Sequence, residues 1–181
     1  MTYEIVLAGF GGQGILFLGK MIALAGMYEG KEVSWIPSYG PEMRGGTANC
    51  SVVVSDRMIG MPVVSQPDVL VVMNRPSLEK FESKVKPGGF VLINKTLIEI
   101  PHTRADIDVA YLEVTGLAAG LGNPRLANMV ALGGLIAHVP IVSKAAALEA
   151  LQMELKGKKA ALLQLNLQAL ETGMAGHLQT E

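Results

Sequence analysis

Cysteine is almost absent: Cys50 is the single one in 181 residues. One thiol excludes an internal disulfide and cannot supply the set of thiolates that holds an iron–sulfur cluster. Charge is sparse and balanced, with 15 Lys and Arg against 16 Asp and Glu, a net charge of -1 and only 17% charged residues. There is no basic field of the kind that neutralises phosphate backbones, so nucleic acid is excluded as a partner. Long hydrophobic runs are missing too. The longest uncharged run, 126–143, contains Asn128, His138, Pro140 and the pair Gly133-Gly134, whereas a membrane span needs about 20 predominantly apolar residues. It reads as a buried helix whose glycines admit another backbone at close range, with no membrane role. The opening MTYEIVLAGFGG has neither a basic start nor a small-residue cleavage site, so a cytoplasmic location is expected.

Several catalytic patterns are absent as well. No H-x-x-x-H, paired-cysteine, G-x-S-x-G or G-x-x-x-x-G-K-[ST] motif occurs, which removes the zinc, serine-hydrolase and P-loop classes. His138 lies on an apolar stretch and is expected to be a hydrogen-bonded core residue; His102 and His177 fall in a loop and a tail. Cys50, alternating with Val52 and Val54, is expected to be a small packed side chain.

What is present is apolar. Half the residues are hydrophobic and the mean hydropathy is +0.36, which predicts one tightly packed domain over residues 1–181 with some apolar surface covered by a partner. Tyr3 to Ala8 is a buried strand that runs into glycines. From about Gly12 to Glu29, Ile15, Leu18, Ile22 and Met27 recur at helical spacing, with Gly30 placed as a C-terminal cap. Lys31 to Ile36 is a second strand stopped by Pro37, completing the opening of a βαβ unit. Strands are further predicted at Ala48 to Ser55, Met58 to Val64, Val69 to Met73, Gly89 to Asn94 and near Val109 to Val114, and a short helix at Ser77 to Val85. Two helices separated by Gly157 follow, marked by Leu148, Leu151 and Leu155 and by Leu163, Leu167, Leu170 and Met174; the chain beyond Gly176 is expected to fray. The pattern is α/β with a mixed, mostly parallel sheet.

Two segments carry candidate chemistry. Gly9-Phe10-Gly11-Gly12-Gln13-Gly14 matches G-x-G-x-x-G between a strand and a helix, where backbone N–H groups at the positive helix end receive phosphate. No acid closes the second strand, which ends Ser34-Trp35-Ile36-Pro37, so the ribose contact of a standard dinucleotide site is missing. A turn that only lets helix and strand pack is the alternative. The second segment, Ser38-Tyr39-Gly40-Pro41-Glu42-Met43-Arg44-Gly45-Gly46, follows the second strand and should emerge at the same sheet edge. Arg44 suits a phosphate or carboxylate through its planar fork. An ion pair with Glu42 or with a neighbouring subunit stands equal to that reading.

Together, Gly9 to Ile15 (GFGGQGI), Ser38 to Asp56 (SYGPEMRGGTANCSVVVSD) and Asn128 to Leu135 (NMVALGGL) resemble the gamma subunits of 2-oxoacid:ferredoxin oxidoreductases, most nearly the 2-oxoglutarate type. The resemblance implies a three-layer α/β/α domain like domain III of pyruvate-ferredoxin oxidoreductase, acting in a cytoplasmic complex that oxidises a 2-oxoacid to an acyl-CoA and reduces ferredoxin. Thiamine diphosphate, Mg and iron–sulfur clusters would sit in alpha, beta and possibly delta partner subunits, consistent with the absence of a G-D-G motif here. No cofactor would be bound by this chain alone, coenzyme A would be the cosubstrate, and a homodimer is conceivable for the isolated chain. The implied binding residues are Gly11, Gly12, Gln13, Gly14, Ser38, Tyr39, Gly40, Glu42, Arg44, Gly45 and Gly46, with no catalytic residue among them. A free-standing Rossmann-like nucleotide-binding oxidoreductase and a ligand-free interaction module remain the alternatives. The keto acid cannot be read here, because it is discriminated where it meets thiamine diphosphate.

Overall fold

Four strands, β1 (Thr2–Phe10), β4 (Val69–Val72), β5 (Phe90–Asn94) and β6 (Asp108–Leu112), run parallel side by side in a computed structural model that describes residues 1–38, 47–157, 162–176 and 179–180. Their near-continuous apolar sequences follow from burial on both faces. The full order is β2-β3-β1-β4-β5-β6-β7, with β2 (Glu32–Ser38), β3 (Thr47–Ser55) and β7 (Gln179–Thr180) completing a mixed sheet of seven strands.

The period of two along β1 divides the core. Ile5 and Leu7 face one layer, and Val6 and Ala8 the other. On the first side pack α1 (Ile15–Tyr28), α3 (Val114–Gly120), α4 (Ala127–His138), α5 (Lys144–Glu154) and α6 (Leu163–Ala175). On the second lie α2 (Arg75–Phe81) and the connection containing Ile98 and Ile107. The result is a three-layer α/β/α arrangement with one thick and one thin layer.

The Gly133 expectation holds in a reciprocal form. A Cβ on Gly133 of α4 would stand 2.0 Å from the Leu170 carbonyl oxygen of α6, and one on Gly173 would stand 2.0 Å from the Val130 carbonyl oxygen. The two helices meet backbone to backbone because each offers a glycine to the other. Gly30 also takes its expected place, in the left-handed region at φ 71° just beyond α1.

Several expectations are corrected. β2 runs in the direction of β1 but is not its neighbour: β3 lies between them, antiparallel to both. The more apolar β3, buried from Val52 to Ser55, takes the interior position, and β2, with Glu32, Ser34 and Pro37, becomes the edge. That edge position is why β2 continues through Pro37 to Ser38, since an edge strand tolerates a missing donor. Met58 to Val64 forms no strand; Met58 and Met61 are 90% and 68% exposed, so this stretch lacks the burial that rewards pairing. His138 is exposed, its ring stacked on Phe90 at 4.9 Å between centroids. The C-terminal segment does not simply fray, because Gln179–Thr180 pairs antiparallel with Tyr111 and Ala110. Among the described residues, no helix is long and apolar enough to cross a membrane.

Candidate functional site

Register places the two candidate segments at one edge of the sheet. Phe10, the last residue of β1, pairs with Thr47, and Ser38, the last of β2, pairs with Asn49. The 39–46 segment is therefore bracketed by strand ends that share an edge with the glycine turn. Tyr39, Gly40, Glu42, Arg44, Gly45 and Gly46 lie outside the described residues, while Ser38 is exposed at the end of β2.

The glycine turn needs its glycines for two different reasons. Gly12 and Gly14 have φ of 96° and 73°, the left-handed region where a Cβ is disfavoured. At Gly12 a Cβ would meet nothing within 4 Å, so conformation alone requires glycine and the space over the turn is open. At Gly9 crowding decides, because a Cβ there would lie 2.6 Å from Gln13 Oε1 and 2.9 Å from Met73 Cβ. Gly14 caps α1 without a side-chain hydrogen bond, and the first turn of α1 carries no acidic residue. The orphan N–H groups and positive dipole end of a 14-residue helix are thus left for an anion, next to the exposed Gly11 and Gly12.

Gln13 does not reach outward. Its Oε1 accepts from the Phe10 N–H at 2.6 Å and its Nε2 donates to the Met73 carbonyl at 3.2 Å, so the carboxamide ties the turn to the end of β1 and to the residue after β4. Asn94, the wholly buried last residue of β5, donates to the same Met73 carbonyl at 3.3 Å and to Thr115 Oγ1 at 2.9 Å, and accepts from the Thr115 N–H at 3.3 Å. Asn128 Nδ2 donates to the Gly14 carbonyl at 3.3 Å, and a Cβ on Gly14 would lie 2.4 Å from that nitrogen. The NMVALGGL and GFGGQGI motifs are therefore in physical contact.

Sequence reasoning missed Asn74, Asn94, Thr115 and Asn128. The available signal was an asparagine directly after an apolar strand: Asn94 closes FVLIN, and Asn74 follows VLVV by two positions. Asn74 Oδ1 caps α2 by accepting from the Ser77 N–H at 2.9 Å. Asn74 Nδ2 and Ser77 Oγ are buried with no hydrogen-bond partner among the described residues.

Cys50 is structural. Its thiol donates to the Ile15 carbonyl at 3.6 Å, and burial pushes its pKa up to about 12. A Cβ on Gly19 would come within 2.6 Å of Sγ, so a small residue on each side lets α1 settle on β3. Among the described residues no group of three or more His, Cys, Asp or Glu could hold a metal. The turn contains no nucleophile or titratable side chain. It can bind and orient an anion, and it carries no proton chemistry of its own.

Comparison with known proteins follows the same lines. A family model described as Pyruvate ferredoxin/flavodoxin oxidoreductase matches residues 4–176. Ketoisovalerate oxidoreductase subunit VorA of Methanothermobacter thermautotrophicus is 40% identical over 173 residues, 94% of this chain and 35% of that protein, so this chain spans about a third of that relative's length. 2-Oxoglutarate synthase subunit KorC of Methanocaldococcus jannaschii is 38% identical over 147 residues, 80% of this chain and 79% of that protein. Among solved structures, the gamma subunit of keto/oxoacid ferredoxin oxidoreductase from Geobacter sulfurreducens has a TM-score of 0.82 at 30% identity, covering 96% of each chain. A 2-oxoglutarate:ferredoxin oxidoreductase from Magnetococcus marinus, with 2-oxoglutarate, coenzyme A and succinyl-CoA bound, has a TM-score of 0.87 at 28% identity, covering 96% of this chain and 30% of that one.

Proposed function

This chain belongs to the Pyruvate ferredoxin/flavodoxin oxidoreductase family, and from that premise we propose that it is the gamma subunit of a multi-subunit 2-oxoacid:ferredoxin oxidoreductase whose glycine turn helps receive coenzyme A. The observation that carries the reading is the uncapped amino end of α1, free of acidic residues, beneath open space at Gly12. A phosphate group fits there, because backbone N–H groups and the helix dipole attract an anion without needing a side chain. Arg44 is the cation in the neighbouring segment suited to a second phosphate oxygen.

The rest of the reaction falls to partner polypeptides in this reading. Cys50 is the lone cysteine and is buried, and no G-D-G motif occurs, so this chain offers no residues suited to an iron–sulfur cluster or to thiamine diphosphate with Mg. Alpha, beta and possibly delta subunits would hold those groups and pass electrons to ferredoxin. Relatives of the ketoisovalerate, 2-oxoglutarate and pyruvate types all match this chain, so the 2-oxoacid is proposed as 2-oxoglutarate on the motif resemblance alone.

Reconstitution tests the proposal. The purified chain alone should show no turnover, and the complex assembled with its partner subunits should reduce a viologen dye when given a 2-oxoacid and coenzyme A. Comparing 2-oxoglutarate, pyruvate and ketoisovalerate in that assay identifies the substrate. In the same complex, Arg44→Ala should raise the KM for coenzyme A. Turnover by the isolated chain, or a complex indifferent to this subunit, would overturn the assignment.

A further inference from the structure

We propose that Gln13 and Asn94 are positioning residues for coenzyme A, acting together through the carbonyl of Met73 to set where the glycine turn stands relative to the sheet. The inference rests on the coenzyme A reading of the turn and adds residues that act through it. Gln13 supplies the one side chain with hydrogen-bonding groups between Gly11 and Gly14, and both of its polar ends are engaged inside the protein. The glycines themselves have no side chains with which to anchor the turn, so its position depends on that carboxamide, on the Gln13 N–H to Phe10 carbonyl bond at 3.2 Å and on the Asn128 bond to the Gly14 carbonyl at 3.3 Å.

The Met73 carbonyl lies one residue past the end of β4, where the ladder no longer uses it. Its two acceptor sites are filled from opposite sides, by Gln13 at 3.2 Å and by Asn94 at 3.3 Å. Asn94 is locked in turn by Thr115, at the start of α3. A relay of neutral amides therefore runs from the β6–α3 connection through β5 and β4 to the turn after β1. Neutrality matters, because a carboxylate in the same place would oppose the helix dipole that draws in phosphate.

The test measures coenzyme A affinity by equilibrium binding to the assembled complex, alongside steady-state kinetics and thermal unfolding. Gln13→Met is expected to raise the coenzyme A Kd about 10-fold, the equivalent of one or two lost hydrogen bonds, with kcat and the KM for the 2-oxoacid unchanged. Gln13→Glu, whose carboxylate is ionised at neutral pH, should raise the Kd further than Gln13→Met does, because it adds a charge that opposes the helix dipole, again with the KM for the 2-oxoacid unchanged. Because both amides act through one carbonyl, the double variant Gln13→Met with the uncharged Asn94→Leu should be less damaging than the product of the two singles. Gly11→Asp, which places an acid on the exposed turn, serves as the control. If Gly11→Asp raises the Kd while Gln13→Met leaves it unchanged, the positioning role is wrong and the turn remains the anion site. If neither variant moves the Kd, the coenzyme A reading falls with it.

Discussion

The two edges of the sheet are held by different chemistry. At the amino edge, where β1, β4 and β5 begin, charged groups do the joining. Lys86 Nζ pairs with Glu4 at 2.5 Å and Asp68 at 2.8 Å, Arg104 pairs with Asp106 at 2.5 Å, and the Met1 amino group pairs with Asp56. At the carboxyl edge, Gln13, Asn94 and Asn128 hold the strand ends together with neutral amides. The difference teaches why the glycine turn can attract an anion. A carboxylate in the place of the Gln13 amide would lie beside the amino end of α1 and oppose its dipole, whereas an amide fixes the backbone and leaves the field intact. The amino edge has no such demand.

An alkaline titration separates the two edges and gives the largest expected effect. Burial raises the Cys50 thiol, which lies beneath α1 against Ile15 and Gly19, from its ordinary 9.0 to about 12. The unfolded thiol ionises first, so the stabilisation is complete below pH 9 and is lost as pH rises toward 12, at up to ~1.4 kcal/mol per pH unit. Urea unfolding across that range should show the decline, and Cys50→Ser should flatten its first part. Lys86 behaves differently. Burial opposes its charge, but the carboxylates of Asp68 and Glu4 outweigh this and raise its pKa above the ordinary 10.5. Its contribution is complete below pH 10.5 and fades only above, so a decline beginning at pH 9 that Cys50→Ser removes belongs to the thiol. An onset above pH 10.5 in the wild-type chain would contradict the burial assigned to Cys50.

Gly14→Ala is the next largest. The left-handed φ of 73° and the approach to Asn128 Nδ2 at 2.4 Å act together, with an expected loss of ~2–3 kcal/mol in unfolding free energy. Coenzyme A binding to the complex should weaken at the same time, coupling stability and affinity at this edge. Lys86→Met should give the smallest effect, about 1 kcal/mol or less because its ion pairs are partly exposed and screened, with coenzyme A affinity unchanged. A shift in affinity with Lys86→Met would break the division between the edges.

Much of the scaffold was legible in the sequence. The buried parallel strands, the helix after the glycine turn, the close contact made by Gly133 and the packed Cys50 follow from local pattern. Three particulars were not legible. The insertion of β3 between β1 and β2 depends on which of two adjacent strands is the more apolar once both are paired. The stacking of His138 on Phe90 requires knowing where α4 ends over β5. The inward turn of Gln13 requires Met73, 60 positions away.

The sequence by itself determined the conformation of the turn and the absence of charge within it, because a left-handed φ and a missing side chain are properties of glycine wherever it stands. Tertiary structure alone decided which amides would hold that turn and which candidate residues would remain free to meet a ligand. Hydrogen-bond partners brought together by strand order leave no periodic trace in the chain, since each asparagine or glutamine looks the same in sequence whether it faces solvent or a carbonyl across the sheet.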